Sequence, residues 1–170
     1  MLIRIDTREH KKEYDRITAQ FDALGVVYER KKVDEGDYMI PDHPQLVIER
    51  KKDLQELCTN VTQQHKRFQA ELQRAKNKGI KMIILCEHGD GIESLEDVFF
   101  WDNPRRTDHK WIMENGRPKR VYIPEQRRAI TGKQLYKSLC TISERYGVDI
   151  LFCEKSETGR KIVELLNERH

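Results

Sequence analysis

Long apolar runs are missing from this 170-residue chain. Its most hydrophobic stretch, IKMIILC at 80–86, falls far short of the ~20 residues that cross a bilayer. The N-terminus, MLIRIDTREHKK, reads as a strand followed by charges and has no signal-peptide pattern. These absences predict a cytoplasmic protein with no membrane partner. Cysteine is scarce: Cys58, Cys86, Cys140 and Cys153 are widely spaced and form no CxxC. That argues against a disulfide scaffold and reads as reduced core thiols. The six histidines (His10, His43, His65, His88, His109 and His170) lack ligand spacing, so no zinc site is expected. Repeats, low-complexity tracts and long linkers are absent too. No charge of one sign dominates. The 32 Lys and Arg against 29 Asp and Glu leave +3, too little for bulk charge to argue for a nucleic-acid partner.

What the chain does have suits one folded domain over 1–170, at 37% hydrophobic and 36% charged residues. Strand and helix patterns alternate. A strand at 2–5 precedes a helix over 11–23, where Tyr14, Ile17, Phe21 and Leu24 share a face. A strand follows over 26–32. Asp53 is placed to cap a helical region with stripes at Leu54, Leu57, Val61 and at Phe68, Leu72, Ala75. That region is one bent helix or two. Residues 80–86 read as a doubly buried central strand. Thr131 caps a helix to Tyr146, and a strand at 148–153 and a helix over 156–167 close the chain. The alternation predicts an α/β fold with a mixed central sheet flanked by helices.

The stretch GDYMIPDHPQLVIERK, residues 36–51, carries the chemistry. It reads as a hairpin with strands at 37–40 and 45–51 and a turn over 41–44, where two prolines fix φ. Residues two apart on a strand share a face. Glu49 and Lys51 therefore point together, and Asp37 joins them from the partner strand. The Arg50 side chain points to the opposite face, where it braces the site or anchors a phosphate. Phosphodiester cleavage needs an activated water, neutralised phosphate charge and a stabilised leaving oxygen. A divalent ion on carboxylates serves all three. Asp37 and Glu49 are the candidate metal ligands, with the backbone carbonyl of Arg50, for Mg²⁺ or Mn²⁺. Lys51 is placed to lower the water's pKa or to hold the phosphate.

These residues carry a resemblance. The order DTRE, then GDY, then VIERKKDL, then a helix with Arg67 resembles the nuclease domain of the XPF/Hef family of structure-specific endonucleases. Its signature is GDx(n)ERKx(3)D, preceded by DxRE. The resemblance implies a restriction-endonuclease-like fold and Mg²⁺- or Mn²⁺-dependent cleavage of branched, flapped or forked DNA, in repair, recombination or replication. It implies that Asp6 and Glu9 are further acids at the site, and that Arg8 and Arg67 are DNA contacts. Arg67 also stands one helical turn from Glu71, so an ion pair between them is the alternative. The motif's last acid falls on Gln55 here. The chain ends at His170 without the tandem helix-hairpin-helix of many family members, which predicts a stand-alone domain of bacterial or phage type.

Residues 101–129 read as a basic hairpin insertion. Asn115-Gly116 between WIM and RVYI is a hairpin turn. The segment holds both tryptophans and eight Arg and Lys against four acids. Arg105, Arg106, Lys119 and Arg120 are candidate DNA contacts. Core packing of the tryptophans or a homodimer contact explains the same residues. An inactive DNA-binding or dimerisation module of the same fold is the alternative to an enzyme, against which the intact Gly-Asp and Glu-Arg-Lys argue. The motifs also fit an RNA-directed nuclease.

Overall fold

The structure, a computed structural model, describes residues 1–167; His170 lies outside them. Six strands form one mixed sheet in the order β2-β1-β3-β4-β5-β8. They are β1 (Leu2–Ile5), β2 (Val27–Arg30), β3 (Tyr38–Ile40), β4 (His43–Lys51), β5 (Lys81–Glu87) and β8 (Asp149–Cys153). β3 runs antiparallel to both neighbours and the other pairs are parallel. The helices α1 (Lys11–Ala23) and α5 (Thr158–Asn167) cover one face. The helices α2 (Leu54–Val61), α3 (His65–Asn77) and α4 (Gly132–Tyr146) cover the other. This is the expected α/β layering, and the region over 54–77 is two helices rather than one bent one, with the break at 62–64. No described helix is long and apolar enough to cross a membrane.

Alternation along β4 sorts its side chains between the two cores. Leu46 and Ile48 pack with α1 and α5, and Val47 packs with α2, α3 and α4. By the same period of two, Glu49 and Lys51 stand on the α2–α3 face and Arg50 on the α1–α5 face. The caps are those the sequence predicts. The Asp53 side chain accepts from Glu56 N at 2.8 Å. Thr131 forms a capping box with Gln134, and Gly147 ends α4 in the left-handed region.

The central hairpin differs in its turn. It closes on Pro41-Asp42 alone, and Pro44 lies inside β4. The β5 ladder starts only at Leu46, so Pro44 owes no hydrogen bond to β5 and is tolerated. Gly36 sits at φ +80°, and a Cβ there would stand 3.0 Å from Val47 Cβ and 3.2 Å from Ile48 O. Both the dihedral and the contact favour glycine. Gly36→Ala is expected to cost about 1–3 kcal/mol, read as a lower urea midpoint at unchanged slope.

The insertion forms a separate two-stranded sheet, β6 (His109–Glu114) and β7 (Arg117–Tyr122), turning at Asn115 and Gly116 with positive φ. Its two tryptophans divide. Trp101 packs against the core beside α4, and Trp111 is exposed.

Candidate functional site

Two backbone hydrogen bonds and one accepted by its side chain fix Asp37. Its N donates to Ile48 O and its O accepts from Asp6 N, both at 2.8 Å. Its Oδ2 accepts from Arg50 N at 2.8 Å. The side chain thus lies beside the end of β4 on the face that carries Glu49 and Lys51. Lys51 Nζ donates to Glu49 Oε1 at 2.6 Å, and both residues are buried. Burial pushes the Asp37 carboxyl well up, and the Glu49 charge pushes it further, against the pull of Lys51. Burial disfavours the Lys51 charge, but Glu49, Glu56 and Asp37 outweigh it and raise its pKa. Lys51 is therefore a held cation rather than a proton acceptor near neutral pH.

The opposite face carries a network that braces this end of the sheet. Arg50 Nη2 and Nε donate to the two oxygens of Glu9 at 2.8 and 3.0 Å. Its Nη1 donates to Glu87 Oε2 at 3.0 Å. Tyr38 Oη donates to Glu9 Oε2 at 2.7 Å, and Thr158 Oγ1 donates to Glu87 Oε1 at 2.7 Å. Arg16 also pairs with Glu87. Arg50 holds Glu9 on the α1–α5 face of the sheet, from where its charge still adds to those that raise Asp37. Burial works to raise the pKa of Glu9, yet the Arg50 hydrogen bonds and charge and the Tyr38 hydroxyl hold it low. Glu87 stands at the end of β5, yet its side chain is 0% exposed. Only the pairing of β5 with β4 brings it to Arg50.

Asp6 is also saturated. Its Oδ1 accepts from Arg8 N and Nε, and its Oδ2 accepts from Arg8 Nη2 and Val33 N. It shapes the loop before Gly36 and holds Arg8 in place. The Arg8 side chain remains 63% exposed and is influenced by the charges of Asp37 and Glu71. Glu71 is the residue that sequence reasoning placed elsewhere. Arg67 and Glu71 form no ion pair among the described residues. Burial and then the Glu49 charge raise the Glu71 carboxyl, so it faces the acids of β4. Its helix is docked by Phe68, whose ring centroid lies 5.4 Å from Lys51 Nζ. Arg74 and Lys78 of the same stripe clamp buried Glu35 at 3.2 and 3.0 Å. The 67, 71, 74, 78 spacing was the available signal. Arg67 is exposed at the end of that stripe.

The oxygen donors fit a hard divalent cation. The Glu49 charge raises the proton affinity of Asp37, and nothing among the described residues donates to Asp37 Oδ1. No group of three His, Cys, Asp or Glu closes on one point among the described residues. Two carboxylates suit Mg²⁺, which keeps several waters and shares itself with substrate phosphate. The ERCC4 domain matches residues 5–165, nearly the whole chain. The chain belongs to the ERCC4 domain family. It is also similar to the structure of XPF from Aeropyrum pernix, at TM-score 0.63 and 16% identity, over 99% of this chain and 64% of that one. The structure of the same XPF in complex with DNA matches at TM-score 0.60 and 18% identity, over 98% and 64%. This chain thus spans under two thirds of those proteins. No curated relative matches it. The fold is shared with XPF from Aeropyrum pernix over nearly the whole of this chain.

Within this ERCC4 domain, Gln55 stands where the motif expects an acid. Its Nε2 donates to Asn103 Oδ1 at 2.8 Å. Asn103 Nδ2 donates in turn to Ile130 O at 2.8 Å. Gln55 therefore ties the site helix α2 to the base of the insertion. The insertion's cations also separate by role. Arg106 donates to Ala129 O at 2.6 Å and pairs with Glu125, so it holds the base closed. Lys119 pairs with Glu114 at 2.7 Å. Arg120 Nη2 lies 3.0 Å from His109 Nδ1, and Arg105 is exposed. All three stand clear of the core.

Proposed function

We propose that this ERCC4 domain is a Mg²⁺- or Mn²⁺-dependent endonuclease that cuts branched, flapped or forked DNA. The observation that carries the reading is the meeting of Asp37, Glu49 and Lys51 on one face at the open end of β4. Asp37, Glu49 and the Arg50 carbonyl would hold the cation. When bound, it supplies water activation and charge neutralisation at the scissile phosphate. Lys51 holds a phosphate oxygen or lowers the pKa of the attacking water, kept charged by Glu49. Arg8 and Arg67 are the exposed cations flanking the acids and would grip the phosphates on either side. Asp6, Glu9 and the Arg50 side chain support the site by holding the strands that carry it. A role in repair, recombination or replication follows from such substrates.

The test uses labelled flap, fork, four-way junction and linear duplex DNA, with Mg²⁺, Mn²⁺ or EDTA. Cutting that requires the metal and favours the branched substrates is expected. Binding without cutting under every metal condition would overturn the reading in favour of a non-catalytic module.

A further inference from the structure

We infer that the β6–β7 hairpin is a stacking platform for an unpaired DNA strand. The pairing register sets its two faces. Trp111 lies opposite Arg120, His109 opposite Tyr122, and Met113 opposite Pro118. Alternation puts Tyr122, Trp111 and Met113 on one face. Trp111 is 64%, Tyr122 65% and Met113 69% exposed, so among the described residues this face is left largely open to solvent. Trp111 and Tyr122 are diagonal neighbours, about 7–8 Å apart in such a ladder, which presents two rings side by side.

Arg128 fixes the second ring. Its guanidinium carbon lies 5.3 Å from the Tyr122 ring centroid, and Nη2 donates to Tyr122 Oη at 2.9 Å. A ring held from one side leaves its other side for a base. Arg120 stands directly across from Trp111 on the aromatic face, and Lys110, Arg117 and Lys119 line the opposite face of the ribbon, so a strand running over the platform meets cations at its rim. Glu114 is the one acid within these two strands. Aromatic faces interleaved with cations are what a single strand needs, because every base has a π-face and every linkage a phosphate. A second copy of this face would bring like charges together. Duplex DNA hides the faces of its bases, so the platform selects the unpaired arm of a branched substrate. Asn103, at the base of the insertion, is tied to Gln55 on the helix that follows Lys51.

This inference rests on the proposed function only for the choice of DNA as the nucleic acid. Its test is therefore binding without cleavage. The full chain is titrated in EDTA against labelled oligo(dT), oligo(U) and a blunt duplex. Trp111→Ala is expected to weaken oligo(dT) binding about tenfold or more, with duplex binding nearly unchanged and Trp111→Phe restoring most of the loss. Tyr122→Ala is expected to weaken it in the same direction. In the wild type, oligo(dT) should quench the exposed Trp111 far more than the half-buried Trp101, which packs against the core. Unchanged oligo(dT) affinity in Trp111→Ala, or an equal loss on duplex, would overturn the inference. So would tighter binding of oligo(U) than oligo(dT), or a dimer in light scattering that Trp111→Ala dissolves. A protein that binds oligo(dT) through Trp111 but cuts nothing would sink the nuclease reading and leave the platform standing.

Discussion

Asp37→Asn is expected to abolish DNA cleavage, by about a thousandfold or more, without loss of fold stability. The two side chains have the same shape, and an Asn oxygen still accepts the hydrogen bond from Arg50 N. What disappears is one negative charge beside Glu49. In the free protein that charge is unfavourable, since burial and Glu49 both push the Asp37 carboxyl up. The variant should therefore melt at the wild-type temperature or above it, the signature of a residue kept for chemistry against stability. Single-turnover cleavage and a thermal melt on the same preparation read both quantities. Cleavage at the wild-type rate would remove Asp37 from the site. A variant that is inactive because it melts early would assign Asp37 to the fold instead.

The second large effect is on stability. Glu87→Ala is expected to cost about 3–5 kcal/mol, because one partner is removed from a buried charge network. Arg50, with its side chain 7% exposed, would keep Glu9 but lose Glu87. Thr158 and Arg16 would lose the same acceptor. For a chain of this size the cost corresponds to a melting temperature about 6–20 °C lower. The wild type should also weaken in acid. Glu9 titrates below its ordinary 4.5 in the fold, so the unfolded chain takes up that proton first. The stability Glu9 contributes is present above pH 4.5 and is lost as pH falls through its lower folded value. Melts from pH 7 down to pH 3 would show the decline. A Glu87→Ala protein as stable as wild type would show that the network is not what holds β4 and β5 at this end.

Local patterns made much of this legible in the sequence. The alternation of Leu46, Val47 and Ile48 settles which way Glu49, Arg50 and Lys51 point before any strand partner is known. Asp53 and Thr131 announce their helices through their own side chains, and Asn115-Gly116 announces its turn. The parts that escaped depend on long-range pairing. Glu87 looks like a free strand end until β5 is laid beside β4. Glu71 looks like half of a surface ion pair until Glu35 clamps α3 at Arg74 and Lys78. Asp6 and Glu9 read as two acids near the site, and only the fold shows the cations bound to them, Arg8 and Arg50. Arg106 carries the same lesson in reverse: a cation in a basic stretch is already committed to Glu125 and Ala129.

The hydrogen bond from Asn103 to Ile130 has a consequence for how such a protein changes over time. It brings together the two points where the chain leaves the α/β core and returns to it. Everything between them is a cassette: the core's strands and helices are complete without it. Such a segment can be lengthened, exchanged or cut out with little disturbance to Asp37, Glu49 and Lys51. Under the proposed reading, substrate choice would then change at the hairpin while Asp37, Glu49 and Lys51 stay as they are.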